Sequence, residues 1–338
     1  MNVTENSAGI AGNEPRAPIN PVVSVIVPSY NRGYCIAQCL RSILNQTFAD
    51  FEIIVVDDAS SDDTRAQVLS IPDSRIRYLA HDANRGGAVA RNSGIRIASG
   101  EFIAFLDSDD HWQPDKLAKQ VESLRRLGMQ CGLSYTWLSC VDDAGTETLR
   151  VNPEIEGECF EEMLVSNFIG TFSNIVVRKS LLIEVGALDE AFRSCQDWDL
   201  FIRLTRHASV HCLREYAVSY LLSVSDKNRI STNPRSVIQG HRRILNKYAV
   251  DYSALPLPAR RRALRFFMRI FADTGSVRDT LAMGLKRLHC GFSLGDFGEF
   301  RSPHASRVKK VLDDEDACIS SCLKVIFSWT STRFYRPG

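Results

Sequence analysis

The chain has 338 residues, of which 44% are hydrophobic and 24% charged, as in globular proteins with one large domain or two. Its 41 basic and 40 acidic residues give a net charge of +1, so no global positive field attracts nucleic acid. No apolar run reaches the roughly 20 residues that cross a bilayer, so any membrane contact is expected to be peripheral.

The ten cysteines form no Cys-x-x-Cys pair. Two pairs, Cys35/Cys39 and Cys318/Cys322, have helical i, i+4 spacing, which favours reduced core thiols of a cytoplasmic protein over disulfides or zinc ligands. Residues 1–20 lack the basic and apolar regions of a signal peptide and are predicted to form a flexible tail.

Apolar runs rich in β-branched residues alternate with helical patterns through the first third of the chain. The runs VVSVIVP and FEIIVV are typical of strands buried on both faces of a parallel sheet. We predict strands at 22–28, 51–56, 76–79 and 102–106, and helices around 36–44, up to about residue 70 and over 88–99. Polar residues follow three of these strands at one edge of the sheet, where α/β proteins bind ligands.

Beyond Pro114 the patterns predict a helix to about Leu127, strands at 132–141, 172–177 and 216–224, and a helix after Asp199. From Pro256 the sequence becomes helical, basic on one side and apolar on the other. Prolines interrupt the pattern near 235–258. We therefore predict a tail over 1–20, a main domain over 21–235 and a mainly helical extension over 236–338.

The strand predicted at 102–106 runs into Asp107-Ser108-Asp109-Asp110. In a strand, side chains at i and i+2 face one side, so Asp107 and Asp109 can share one hard cation. Magnesium-like ions are usually held by one or two carboxylates plus phosphate oxygens, so the pattern predicts Mg²⁺ or Mn²⁺ holding a substrate diphosphate. A solvated turn with a helix cap before Pro114 is the alternative interpretation.

Further candidates follow the first two strands and the Gly-Gly turn. Tyr30, in PSYN, can stack on a nucleobase or simply pack, and Asp58 can accept hydrogen bonds from a pyrimidine or a ribose. Gly86-Gly87 opens a helix near Arg91, where backbone N–H groups and a guanidinium can bind diphosphate. Neither GxGxxG nor GxxxxGK[ST] occurs, which argues against a dehydrogenase or a P-loop enzyme.

Four segments occur in order over residues 23–117, namely VSVIVPSYNR, VVDDASSDDT, NRGGAVARNSG and FLDSDDHWQPDKL. Together they resemble inverting glycosyltransferases of family 2, over about residues 22–223. The resemblance implies a GT-A fold, an α/β architecture with a mixed, mostly parallel sheet flanked by helices. It also implies metal-dependent transfer of a sugar from a sugar nucleotide, with a UDP-sugar as the expected donor. The implied acceptor is a glycan or a lipid-linked molecule in bacterial surface polysaccharide or lipopolysaccharide synthesis.

Matched residue by residue, the resemblance implies donor binding by Pro28, Tyr30, Asp58, Arg91 and Asp107, and a divalent cation (Mn²⁺ or Mg²⁺) on Asp107 and Asp109. The catalytic base corresponds to Asp197, in the segment CQDWDL. Inverting transfer needs such a base to take the acceptor proton. Asp199 caps the next helix or replaces Asp197 in this role.

The sequence departs from the family's pattern in three features, and two other functions stay open. Gln196 stands where the family often has Glu, and Ser223 stands where it frequently has a His, so a third metal ligand from the protein is not expected. Gln-x-x-Arg-Trp is absent, which favours transfer of one sugar per encounter. One rival is a non-catalytic sugar-nucleotide-binding subunit with a structural Asp197. The other, a nucleotidyltransferase, lacks the Gly-rich loop, since only Gly33 follows the first strand.

The C-terminal third contains a basic and aromatic segment. Arginines at 260, 261, 262, 265 and 269 interleave with Leu264, Phe266, Phe267, Ile270 and Phe271. The pattern predicts either peripheral contact with anionic lipid at the inner face of the membrane or an ordinary packed helix with a solvated basic face.

Overall fold

The computed structural model describes residues 20–222 and 233–289. They form two compact units. The first comprises the described residues of Met1–Phe160 and Phe168–Asp226, and the second those of Glu161–Asn167 and Lys227–Gly338. The predicted N-terminal tail up to residue 19, Ser223 and the cysteine pair at 318 and 322 lie outside the described residues.

A mixed sheet forms the centre of the first unit. Its strands are β1 Val23–Ser29, β2 Phe51–Asp57, β3 Ile76–Ala80, β4 Phe102–Phe105, β5 His111–Trp112, β6 Cys131–Val141, β7 Glu147–Val151, β8 Val176–Arg178 and β9 Ser209–Leu221. The order is β3-β2-β1-β4-β8-β6-β9-β5, and β7 pairs with β6. Strands β1 to β4 are parallel, β8 is antiparallel to β4 and β6, and β6 and β9 are parallel. This confirms the predicted mixed, mostly parallel architecture.

Helices flank the sheet and form the second unit. They are α1 Ile36–Leu44, α2 Thr64–Leu69, α3 Gly87–Ile97, α4 Lys116–Leu127, α5 Phe160–Val165, α6 Lys179–Glu184, α7 Gln196–His207, α8 Pro234–Lys247, α9 Ala249–Ala254, α10 Leu257–Asp273 and α11 Val277–His289. A 3-10 turn spans Phe172–Asn174.

The parallel half of the sheet is buried because β1 and β2 carry β-branched residues on both faces. Helix α3 lies directly on β1, since Gly94 has no side chain and a Cβ there would be 2.6 Å from Ile26 Cγ2. A Cβ on Gly100 would be 2.5 Å from the Ser24 nitrogen. These two glycines bring α3 and the chain before β4 into direct contact with β1.

The predicted elements of the first third are confirmed within one or two residues, but three later predictions differ from the structure. The strand predicted at 216–224 is the end of β9, which begins at Ser209. The strand predicted at 172–177 is a 3-10 turn followed by the short antiparallel strand β8. The helix predicted after Asp199 begins at Gln196, so Asp197 and Asp199 lie inside its first turn.

In the second unit, α10 buries its apolar face. The Phe267 ring makes edge contacts with His241 of α8 and Tyr252 of α9, and Phe271 is fully buried. The arginines at 262, 265 and 269 are exposed. Phe267 and Phe271 therefore pack inside the protein, as the packed-helix alternative expects, and contact of the exposed arginines with anionic lipid stays a prediction.

Helix α8 begins at Pro234, which the sequence suggested as a break. Pro is well suited to the first helical position because its missing N–H needs no partner there. Asn233 caps the helix by accepting from the Arg235 and Ser236 amides. In the described residues, no helix is both long enough and apolar enough to span a membrane.

Candidate functional site

The loops after β1, β2 and β4 meet at the carboxyl edge of the sheet. Ser29 at the end of β1 pairs with Asp57 at the end of β2, and the Asp58 amide donates to the Ser29 carbonyl at 2.8 Å. Arg32, after β1, places Nη2 3.9 Å from Asp109 Oδ2, after β4. Three of the four sequence motifs are therefore neighbours at this edge of the sheet.

Unusual backbone conformations cluster in the loops of this region. The non-glycine residues with positive φ in the described ranges are Asn31 (52°), Ala59 (67°), Ala187 (55°) and Cys195 (57°). The first two follow β1 and β2, and the last two lie in the segment that leads into α7. Left-handed backbone is costly for residues with a Cβ and concentrates at functional loops. Asn31 and Ala59 therefore place left-handed backbone in the two loops next to the candidate site.

The acidic residues after β4 lie on a turn, closed by a hydrogen bond from the Asp110 amide to the Asp107 carbonyl at 2.9 Å. The strand itself ends at Phe105, so the argument from strand alternation does not apply to Asp107 and Asp109. Their side chains are nevertheless accessible, at 28% and 16% exposure.

Asp110, in contrast, is buried and supports the turn. Its carboxyl accepts from Ser173 Oγ at 2.6 Å and from the Leu221 amide at 3.1 Å. Burial, together with the charges of Asp109 and Asp107, raises its pKa well above the ordinary value. Ser173 Oγ also accepts from the Asp107 amide at 3.1 Å, so one hydroxyl joins both acids.

Asp107 and Asp109 fit a divalent cation in donor chemistry. Both offer accessible carboxylate oxygens, the ligands that Mg²⁺ and similar hard ions prefer, and phosphate oxygens and water would complete the shell. Among the described residues, no group of three or more His, Cys, Asp or Glu is arranged to hold a metal ion.

Arg91 of α3 connects the acidic turn with α7. Its Nη2 donates to Asp107 Oδ1, and its Nη1 donates to Gln196 Oε1 at 3.3 Å. The guanidinium lies over the Phe172 ring, 4.2 Å from the centroid. One buried cation thus joins a predicted metal ligand to the segment that contains Asp197.

Asp197 lies in the first turn of α7, partly buried. Burial raises its pKa to about 6, against the opposing effects of a backbone hydrogen bond from Trp198 and of Arg91, and Asp107 raises it further. Such a carboxylate is mostly ionised at neutral pH and more basic than an ordinary Asp, as a general base requires.

Asp199 is a structural residue. It is fully buried, and its Oδ2 accepts from Arg203 Nε at 3.1 Å and Nη2 at 2.9 Å. The predicted capping role is wrong because Asp199 lies within the helix, and the ion pair with Arg203 leaves it unsuited to act as a base.

The predicted nucleobase contacts differ in accessibility. Tyr30 is 42% exposed, so its ring is available for stacking. Pro28 lies within β1 opposite Val56 and is partly buried. Asp58 is only 5% exposed and accepts from His81 Nδ1 at 2.7 Å and from the Gly86 amide at 2.6 Å. The Gly86 amide, which the sequence suggested for diphosphate binding, therefore donates to Asp58 in this structure.

Sequence reasoning missed three supporting residues. His81 bridges Asp58 and Ser93 Oγ, the latter at 2.9 Å from its Nε2, and no spacing in the sequence indicates this. Ser173 joins Asp107 to Asp110, as described above. Asn92 contacts the segment before α7, and its only signal is its position beside Arg91 in NRGGAVARNSG.

Comparisons with known proteins place this site in context. The family model "Glycosyl transferase family 2" matches residues 24–186. The putative teichuronic acid biosynthesis glycosyltransferase TuaG of Bacillus subtilis is 34% identical over 204 residues, 58% of this chain and 79% of TuaG. The UDP-Glc:α-D-GlcNAc-diphosphoundecaprenol β-1,3-glucosyltransferase WfgD of Escherichia coli is 48% identical over 103 residues, 30% of this chain and 41% of WfgD.

A solved structure shares the fold. The crystal structure of S. aureus TarS 1-349 in complex with UDP-GlcNAc superposes with a TM-score of 0.61 at 20% sequence identity, covering 93% of each chain.

Proposed function

Because the chain belongs to glycosyl transferase family 2 and is a glycosyltransferase, we propose that it moves one sugar per encounter from a sugar nucleotide to an acceptor hydroxyl, with inversion. The observation that carries this proposal is the pair of hydrogen bonds from the Arg91 guanidinium. One bond goes to Asp107, and the other goes to Gln196, the residue before Asp197. In this proposal the guanidinium bonds Asp107, assigned to the diphosphate site, and the residue next to Asp197, assigned as the base. The enzyme class also disfavours the non-catalytic rival.

On the donor side, we assign Asp107 and Asp109 to a divalent cation, which when bound would offset charge that develops on the leaving diphosphate. Arg91 provides a fixed positive charge beside Asp107, and the exposed ring of Tyr30 can stack on the base. The names of WfgD and of the TarS complex specify UDP-sugars, which supports a UDP-sugar as donor.

On the acceptor side, Asp197 takes the proton from the attacking hydroxyl. The hydroxyl oxygen forms a bond to the anomeric carbon while the bond from that carbon to the diphosphate oxygen breaks. Attack opposite the leaving group inverts the anomeric configuration. A pKa of about 6 keeps Asp197 ionised before the reaction and able to hold the proton afterwards.

We further propose a glycan acceptor carried on a lipid and used in bacterial surface polysaccharide synthesis. The names of TuaG and WfgD, which specify teichuronic acid biosynthesis and a diphosphoundecaprenol acceptor, support this role. The exposed arginines of α10 would then make peripheral contact with anionic lipid at the cytoplasmic face.

The decisive experiment is a screen of UDP-sugars for binding and hydrolysis, with Mn²⁺ and with EDTA. We expect at least one donor to bind and hydrolyse only with Mn²⁺, and Asp109→Ala to lose Mn²⁺-supported binding while its circular dichroism remains that of wild type. Equal donor affinity with EDTA, or in folded Asp109→Ala, would contradict the metal assignment.

A further inference from the structure

Helix α3 also holds the segment that leads into α7. Asn92, next to Arg91, is buried, and its Nδ2 donates to the Leu188 carbonyl at 2.9 Å. Its Oδ1 accepts from the Leu188 amide at 3.0 Å. Nδ2 also donates to Glu190 Oε1 at 3.0 Å. The side-chain amide therefore pairs with the Leu188 backbone in both directions, as a neighbouring strand would.

Two more contacts join the same segment to α3 and the loop before it. Arg193 Nη1 donates to the Arg85 carbonyl at 3.1 Å, and Arg91 donates to Gln196. The Arg91 bond to Gln196 is long, and Arg193 is exposed. Of these three contacts, the one made by Asn92 is buried and includes both a donated and an accepted hydrogen bond.

We propose that Asn92 is a positioning residue for the transfer reaction. This inference rests on the proposed role of Asp197 as the base. Asn92 contacts neither donor nor acceptor; it fixes Leu188, and through residues 188–196 it sets where Asp197 stands relative to the acidic turn. A displacement of about 1 Å at a reacting group can cost about 100-fold in rate.

Loss of the amide would leave two buried backbone groups of Leu188 unpaired, which is unfavourable because neither group regains a hydrogen bond to water. The segment would shift until those groups find other partners, and Asp197 would move with it. Asp107 and Asp109 lie outside this segment, and Arg91 keeps its bond to Asp107 even if its bond to Gln196 is lost, so donor binding should persist. The expected signature is a loss of turnover without a loss of donor affinity.

The test compares the full chain with Asn92→Ala, using Mn²⁺ and the donor found in the screen. We expect kcat for transfer to fall about 10- to 100-fold, with KM and the calorimetric Kd for the donor within about threefold of wild type. Tyr135→Phe is the matched control. It removes a buried hydroxyl that bonds the Pro153 and Ile155 carbonyls, and its kcat should stay near wild type.

A second variant covers the case in which Asn92→Ala does not fold. Asn92→Asp keeps an acceptor for the Leu188 amide but repels Glu190, and adding Glu190→Gln replaces that repulsion with a hydrogen-bond donor. We expect kcat to fall in Asn92→Asp and to recover partly in the double variant.

Failure of the positioning role of Asn92 can be distinguished from failure of the role of Asp197 as the base. If Asp197→Asn abolishes transfer while Asn92→Ala, or Asn92→Asp in its place, keeps wild-type kcat, the positioning role is refuted and the base assignment stands. A parallel loss of donor affinity and kcat would also refute the positioning role. If Asp197→Asn itself transfers sugar normally, the base assignment fails first.

Discussion

The replacement Asp197→Asn should make this protein inactive and more stable at once. As a general base, the carboxylate contributes about 10²–10⁴-fold to the rate, and Asn cannot take its place. Asn can still accept the backbone hydrogen bond from Trp198. The change therefore removes a charge and a proton acceptor while it preserves the side-chain shape and the local hydrogen bond.

The stability gain follows from the pKa. A carboxyl whose pKa rises from 3.8 in the unfolded chain to about 6 in the folded chain disfavours folding when ionised. Above pH 6 the ionised carboxyl lowers the free energy of unfolding by at most about 3 kcal/mol, at about 1.4 kcal/mol for each tenfold change in proton affinity. The folded state binds the proton more tightly than the unfolded state, so the free energy of unfolding of the wild-type chain falls by this amount as pH rises from about 4 to about 6.

Urea unfolding at pH 5 and pH 7.5 measures the effect, and transfer assays over the same range should show kcat falling about tenfold per pH unit below pH 6. The variant should have the higher urea midpoint at pH 7.5 and a smaller advantage at pH 5. Asp199→Asn is the control in the same turn. It breaks the buried pair with Arg203 and should cost about 3–5 kcal/mol. A folded Asp197→Asn that is less stable than wild type at pH 7.5 would refute the reasoning and make Asp197 a structural anchor.

Three other changes test separate features. Lys116 is buried, with Nζ bonded to Gln120 Oε1 at 2.7 Å, and burial lowers its pKa well below 10.5. At high pH the unfolded state therefore binds more protons than the folded state, so wild type should gain stability relative to Lys116→Met as pH rises toward 10.5. Urea midpoints of the two proteins measure this, and a difference between the midpoints that stays constant with pH would contradict it. Cys195→Gly should keep the melting temperature within a few degrees because φ is 57°, whereas Cys195→Val should lower it by about 2–4 °C per kcal/mol of strain. Equal melting temperatures would show that the conformation carries no strain. The wild-type chain should sediment with anionic liposomes at low salt, and replacement of the exposed arginines at 262, 265 and 269 by Glu should weaken this; a wild-type chain left in the supernatant rules the contact out.

The sequence predicts the parallel half of the fold well because each strand there is a short apolar run followed at once by polar residues. The same signal led to the roles proposed for Asp107, Asp109 and Tyr30, whose positions depend mainly on where their own strands end. The role proposed for Asp197 rests on the resemblance, since no residue type in the sequence predicts that α7 begins after a left-handed Cys195.

Contacts between distant segments could not be predicted. Asn92 and Leu188 are 96 residues apart, and the bond from the Gly86 amide to Asp58 depends on how two loops fold over each other. The pair of Asp199 and Arg203 is different. Its i, i+4 spacing can be read in the sequence and is typical of an ion pair on one face of a helix, which places Asp199 inside the helix.

The contact of Gly94 with Ile26 leaves no space between α3 and β1, and that of Gly100 with Ser24 leaves none between β1 and the chain before β4. Sliding or tilting of the helix would press it against the fully buried Ile26 side chain, so α3 and β1 should move together. Opening and closing around a substrate must then come from the short loops that follow the strands, on the nanosecond to microsecond scale of loop motion. Asn92 would move with β1, so the segment that it holds through Leu188 would stay in place while substrate enters and leaves.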